Sequence, residues 1–177
     1  MGRMLAENLP VILLVSAIVW IHRYHRFSPA SYLFMSVLVV LHTVGGHYTF
    51  ERVPFGLVTD FFGFERNNYD RFAHFSVGFY AYPVAEILLK KRLVRSPAIL
   101  AMFPVFAIFT VAGSYEIFEW LYAVSADSSA GIAVLGSQGD IWDAQKDILA
   151  DGSGSIFATL VFFYSHRGEI KLIKAPA

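Results

Sequence analysis

Apolar residues run along this chain in five blocks separated by short polar stretches. The first covers about Leu9–Trp20, the second about Ala30–Gly46, the third about Arg71–Leu89 and the fourth about Pro97–Ala123. The fifth starts polar near Asp140 and turns apolar from Ser155 to Tyr164. At a helical rise of about 1.5 Å per residue, the third and fourth reach roughly 30 Å, the thickness of a bilayer's hydrocarbon core. The first and fifth span only with their polar ends included, and Pro10 sits near a helix start, where proline is tolerated. The pattern predicts an all-α fold: a polytopic transmembrane helix bundle of about five membrane helices, forming one integral membrane domain over residues 1–177. Between the second and third blocks, Tyr48 to Asn68 carries Pro54, Phe55, Phe61, Phe62 and Phe64. An aromatic-rich stretch of this kind is expected to lie along the membrane interface. Ser125 to Gly139 reads as a loop, with Gly131 and Gly136 as turns.

Composition agrees. The 177 residues are 56% hydrophobic and 16% charged, against about 25% charged in a soluble domain. Formal net charge is zero, so nothing points to nucleic acid. Cysteine is absent, which excludes disulfides, thiolate metal sites and a cysteine nucleophile. Leu9 to Ile21 has the length of a signal-peptide core, but Trp20, His22, Arg23 and Tyr24 replace a small-residue cleavage site, so it is expected to stay as a membrane helix.

Basic residues set the expected orientation. Arg23, Arg26, Lys90, Lys91, Arg92, Arg95, Arg167, Lys171 and Lys174 fall on one side, and Arg3, Arg52, Arg66, Arg71 and Lys146 on the other. The nine-residue side is assigned to the cytoplasm, which puts the N-terminus outside and the C-terminus inside. Among the acids, only Glu86 and Glu169 then belong to the inner side.

That topology gives the unusual side chains a depth. Glu116 and Glu119 interrupt the run Ile99–Tyr122, and each carboxylate costs roughly 2.5–3.5 kcal/mol at mid-helix on insertion scales. Asp70 and His74, four residues apart, share a helix face; so do Asp143, Asp147 and Asp151. His42 and His47 lie near the outer end of the second helix. Four helices thus deliver acid or imidazole to one slab of the membrane. Plainer roles compete: Asp70, Asp140 and Asp143 fall in or near first turns, where a carboxylate serves as a cap. His42 can donate across a helix interface, His47 can belong to a loop, and Asp151 beside Gly152, Ser153 and Gly154 can be paired where helices approach closely. Arg71 and Lys146 can neutralise part of the cluster.

Imidazole plus carboxylate without sulfur suits a divalent metal, with Zn, Mn or Fe ahead of Ca or Mg. The expected ligands are His74, Glu119, Asp143 and Asp147, with His42 and His47 in addition; Glu116 or Asp70 would serve as general base. Neither the His-Glu-x-x-His pattern nor the di-iron Glu-x-x-His arrangement is present.

Four segments carry a family resemblance: His42-Thr-Val-Gly-Gly-His47-Tyr, Arg66-Asn-Asn-Tyr-Asp70-Arg-Phe-Ala-His74-Phe, Tyr115-Glu-Ile-Phe-Glu119-Trp, and Gly136-Ser-Gln-Gly-Asp140-Ile-Trp-Asp143-Ala-Gln-Lys-Asp147. In this order, over nearly the whole chain, they resemble the YjdF-type bacterial inner-membrane proteins, a family defined as a domain of unknown function. The resemblance implies a multi-pass protein of the bacterial inner (plasma) membrane and brings no activity with it. A weaker likeness is to VanZ-like membrane proteins, associated with glycopeptide-antibiotic tolerance; topology alone does not carry that function over.

Three functions compete. The first is a metal-dependent membrane hydrolase acting on a lipid-phase or envelope substrate. The second is a divalent-cation or proton transport or binding protein using the Asp143–Asp147–Asp151 face; five helices are few for a carrier, so this reading calls for a homo-oligomer. The third is a structural accessory subunit whose polar centre fixes helix packing.

Overall fold

The computed structural model describes residues 2–125 and 137–173, and among them all regular structure is helical. The glycines expected to turn the loop before Asp140, Gly131 and Gly136, lie outside the described residues. Helix α1 spans Gly2–His22 and α2 spans Pro29–Tyr48. The start of α2 is set by Ser28, whose hydroxyl accepts the Ser31 N–H at 3.2 Å, followed by Pro29 in the first turn. A 3-10 turn and the short α3, Gly56–Phe62, make up the aromatic-rich connection. Gly63 ends α3 at φ 66°, and its N–H meets the Asp60 and Thr59 carbonyls. Leu57 and Phe61 of α3 are 89% and 82% exposed.

Helices α4, Tyr69–Val77, and α5, Ala81–Lys90, form one span joined by a 3-10 turn at Gly78–Tyr80. Pro83, in the first turn of α5, has no N–H to offer the Phe79 carbonyl, so the helix tightens ahead of it. Helix α6 covers Pro97–Ser125, α7 covers Asp143–Ser165, and α8, Arg167–Ile173, closes the described chain. Pro29–Tyr48, Tyr69–Lys90, Pro97–Ser125 and Asp143–Ser165 are each long and apolar enough to cross a membrane, and Asn8–His22 is a shorter apolar helix. The result is a roughly five-helix membrane bundle. Val111, Ile117, Phe118 and Leu160 point outward and exposed, because lipid solvates them as well as a core would.

Helix α7 is the hub, packed along α4, α5 and α6. Its approach to the α4–α5 span depends on two glycines. A Cβ on Gly154 would collide with the Phe75 carbonyl oxygen, and one on Gly78 would collide with the backbone of Asp151, Gly154 and Ser155. Small residues let two helix backbones touch where lipid supplies no hydrophobic drive for association. Below this crossing, Tyr82, Ala85, Leu89, Leu100, Ala158 and Phe162 fill the core toward the basic end. Above it, the facing residues of α4 and α7 are polar.

Candidate metal centre

The register fixed at Gly78 and Gly154 lays the Asp70–Arg71–His74 face of α4 against Asp143, Asp147 and Asp151 of α7. All three α7 aspartates are buried, at 7%, 4% and 1% exposure. His74 Nδ1 stands 3.2 and 3.3 Å from the two oxygens of Asp151. A carboxylate only accepts, so Nδ1 carries the proton and donates it. The other ring nitrogen, Nε2, then faces Asp147 Oδ1 at 3.5 Å and Asp70 Oδ1 at 3.8 Å. Those separations are too long for hydrogen bonds. Asp70, His74 and Asp147 nevertheless each present a ligand atom within 4.8 Å of the others.

Arginines flank this set. Arg71 donates through Nη1 to Asp147 Oδ1 and through Nη2 to Asp143 Oδ1. It also lies 3.5 Å from Asp70 Oδ2 and from Asp140 Oδ2. Arg66 reaches Asp140 and Asp143, both at 3.3 Å. Asn67 pins the connection above the site, donating to the Glu51 and Val53 carbonyls at 3.1 and 2.8 Å and accepting the Tyr69 N–H at 2.9 Å. The Gln138 amide donates to the Asn67 carbonyl at 2.8 Å, tying the approach to α7 onto the same loop.

Beside the centre, between α6 and the start of α7, opens a cleft of about 270 Å³ lined by Glu116, Glu119, Trp120, Ile141, Asp143, Ala144 and Gln145. Both glutamates are half-buried. Glu119 accepts a hydrogen bond from Tyr115 and interacts electrostatically with His74, Asp70 and Asp143. Glu116 interacts with Glu119, Asp147, His74 and Asp151.

Of the residues singled out in the sequence, Asp70, His74 and Asp147 therefore come together as one group that could hold a metal ion. Asp143 borders it but is held by Arg66 and Arg71. Glu116 and Glu119 face the adjoining cleft. His42 lies edge-on to Phe50 at 5.2 Å, in electrostatic range of His74 and Asp70 but outside the set. His47 is exposed against the Tyr48 ring and does not join it. Asp140 pairs with Lys146 at 2.6 Å and accepts the Trp142 N–H at 3.1 Å. These two contacts, the Lys146 ammonium foremost, hold its carboxyl below the usual carboxylate range.

Two features were not legible in the sequence. Asp151 reads there as one face with Asp143 and Asp147, or as a packing residue beside glycines, and neither reading assigns it the part it plays in orienting His74. The second is Glu86 of α5, which has no exposed surface. Its carboxylate receives the Ser28 N–H at 2.9 Å, the Ser28 hydroxyl at 2.6 Å, the Ser31 hydroxyl, and Lys90 at 2.6 Å, with His25 Nε2 at 3.7 Å. Only Lys90, four residues on, is a local clue.

No solved structure matches the chain. Inner membrane protein YjdF of Escherichia coli (strain K12) is 32% identical over 169 residues, covering 94% of this chain and 80% of that protein. The family profile described as "Predicted membrane protein (DUF2238)" matches residues 1–168. The chain is thus a multi-pass protein of the bacterial inner membrane and belongs to the DUF2238 family.

Proposed function

We propose that Asp70, His74 and Asp147 hold a divalent metal ion and that the protein is a metal-dependent hydrolase of a lipid or envelope substrate. The observation that carries this reading is the gap at His74 Nε2. Its partner nitrogen is committed to Asp151, and the two carboxylates ahead of it stand 3.5 and 3.8 Å away. A carboxylate on one ring nitrogen fixes the tautomer and raises the basicity of the other, which is how metal-binding histidines are commonly prepared. A cation among the three side chains would answer the surplus of negative charge around it. The nitrogen ligand favours Zn, Mn or Fe over Ca or Mg.

A bound ion of this kind lowers the pKa of its water and polarises an acyl or phosphoryl oxygen. Asp70 then serves as a ligand, and the general base falls to Glu116, whose cleft adjoins the centre. By the distribution of Lys and Arg the centre belongs to the outer half of the bilayer, so a substrate would arrive from the outer leaflet. Elemental analysis of the purified protein, before and after chelation, tests the metal: about one ion per chain is expected, lost in His74→Ala. A protein that purifies without metal and takes up none refutes the reading.

Cation or proton transport is the second reading, favoured by one observation. Below Asp151, the same face of α7 continues with Ser155 and Thr159, both buried, so polar groups extend past the helix crossing. Proton uptake into proteoliposomes that vanishes in Asp151→Asn would favour it over hydrolysis.

A further inference from the structure

Asp147 Oδ1 is asked to serve two masters. Arg71 Nη1 donates to that oxygen, and the same oxygen is the one nearest His74 Nε2. A metal ion bound by Asp70, His74 and Asp147 through that oxygen would compete with the guanidinium for it. Arg71 has a second anchor, since Nη2 rests on Asp143 Oδ1. Losing Asp147 would leave it in place, with Nη1 keeping only Asp70 Oδ2 at 3.5 Å, too long for a good hydrogen bond.

We propose that metal loading frees Arg71 Nη1 to bind substrate, and that the substrate is a phosphodiester whose head group carries an ammonium. This rests on the metal reading above and adds the substrate class. A freed guanidinium N–H beside a divalent ion offers two adjacent cationic groups to two oxygens of one tetrahedral anion, the geometry for which arginine is suited. The neighbouring carboxylates narrow the choice. Glu116, Glu119 and Asp143 line the adjoining cleft, and a phosphomonoester dianion placed beside them would be repelled. A diester carries one negative charge. Asp143 both lines the cleft and holds Arg71, so a head group with its phosphoryl oxygens at Arg71 has the cleft within reach. There Glu116, Glu119 and the Trp120 indole would take an ammonium by charge and by cation–π contact. A zwitterionic lipid head group fits both halves, and a soluble glycerophosphodiester with the same amine shares the chemistry.

The test uses full-length protein in phosphatidylglycerol nanodiscs with Mn²⁺ as the metal. Free Mn²⁺, read by electron paramagnetic resonance, gives the metal affinity. Relaxation of the ³¹P signal of glycerophosphoethanolamine reports its approach to bound Mn²⁺. Arg71→Gln should bind Mn²⁺ about tenfold more tightly than wild type, because a competing cation is gone. It should also lose the ³¹P effect. Arg71→Lys, a point charge without the planar fork that grips a phosphoryl group bidentately, should lose the ³¹P effect without weakening the metal, and it serves if Arg71→Gln does not fold. Glycerophosphoglycerol, lacking the amine, should bind about fivefold more weakly, and Glu116→Gln/Glu119→Gln should erase that difference. If phosphatidylethanolamine nanodiscs displace the soluble diester, the lipid is the source; if they do not, the soluble compound is. Metal affinity that is unchanged or weaker in Arg71→Gln, or a ³¹P effect that survives in both Arg71 variants, overturns the inference and leaves the metal centre standing. Wild-type protein that binds no Mn²⁺ or Zn²⁺ overturns both.

Discussion

Two buried carboxylate sites occupy opposite ends of this bundle, and they are built on opposite terms. At the basic end, Glu86 has no exposed surface, and both its oxygens are taken by Ser28, Ser31 and Lys90, with His25 close by. At the acid-rich end, Asp70, Glu116, Glu119, Asp140, Asp143, Asp147 and Asp151 face Arg66, Arg71, Lys146 and one imidazole. The first is a saturated site, in which one charge has as many donors as it can use. The second carries more carboxylates than cations, within a membrane where each such group is costly. A saturated site locks one helix onto another. An unsaturated one has carboxylate oxygens to spare, which is what the proposed metal would use.

Isosteric amide substitutions turn that contrast into opposite signatures. Glu86→Gln keeps one acceptor oxygen but puts an NH2 group in place of the other, so two of the four donors lose their acceptor and Lys90 loses its counter-charge. Leaving buried polar groups unsatisfied costs about 1–3 kcal/mol. The effect should appear as a lowered thermal midpoint in detergent, with metal content per folded chain unchanged. Asp70→Asn should do the reverse. Asp70 is half-buried and its cationic neighbours stand 3.5 and 3.8 Å away, so folding loses little, and one negative charge leaves a crowded site. Metal affinity, measured by competition with a chelating dye, should fall about a hundredfold, in line with loss of a direct ligand. Equal destabilisation by the two substitutions would erase the distinction between the ends.

Asp151→Asn probes the acid-rich end more finely. The amide oxygen can still accept the Nδ1–H of His74, so the ring stays oriented, but its far nitrogen becomes less basic. Outer-shell changes of this sort cost about tenfold in metal affinity. Stability should change by less than about 1 kcal/mol. A large loss of stability would instead mark Asp151 as the acid-rich end's counterpart of Glu86, a charge whose role is to hold helices together.

The two ends also differ in how far the sequence reveals them. Asp70 with His74, and Asp143 with Asp147 and Asp151, repeat at helical spacing, so their shared faces could be read before any coordinates. The spans could be read for the same reason: periodicity and length are local properties. What spacing cannot give is the register of one helix against another. That is set by the backbone contact at Gly78 and Gly154, and it decides that His74 meets Asp151 on one side and Asp147 on the other. The cage around Glu86 depends on Ser28 and Ser31, more than fifty residues away in the chain, and no local pattern announces it. His47 shows the converse: adjacency to His42 in a motif did not bring its ring into the centre, because the chain is leaving α2 at that point.

The smallest expected effect comes from Asp140, a patch of saturated chemistry at the rim of the unsaturated end. Its carboxylate is met by the Lys146 ammonium, by the Trp142 N–H and by Arg66, and its pKa lies below the ordinary 3.8. A carboxyl whose folded pKa is depressed adds stability that is complete above its unfolded value and disappears as pH falls through the folded one. Asp140→Asn should therefore lower the thermal midpoint slightly at neutral pH, and the gap to wild type should close as pH is taken below 3.8. Lys146→Ala should reproduce both features, since the ammonium is the principal cause of the depression. A gap that persists unchanged in acid would mean that Asp140 contributes through its shape and hydrogen bonds alone. The rim would then be neutral toward protons, and the charge-dependent chemistry of that end would begin only at Asp143.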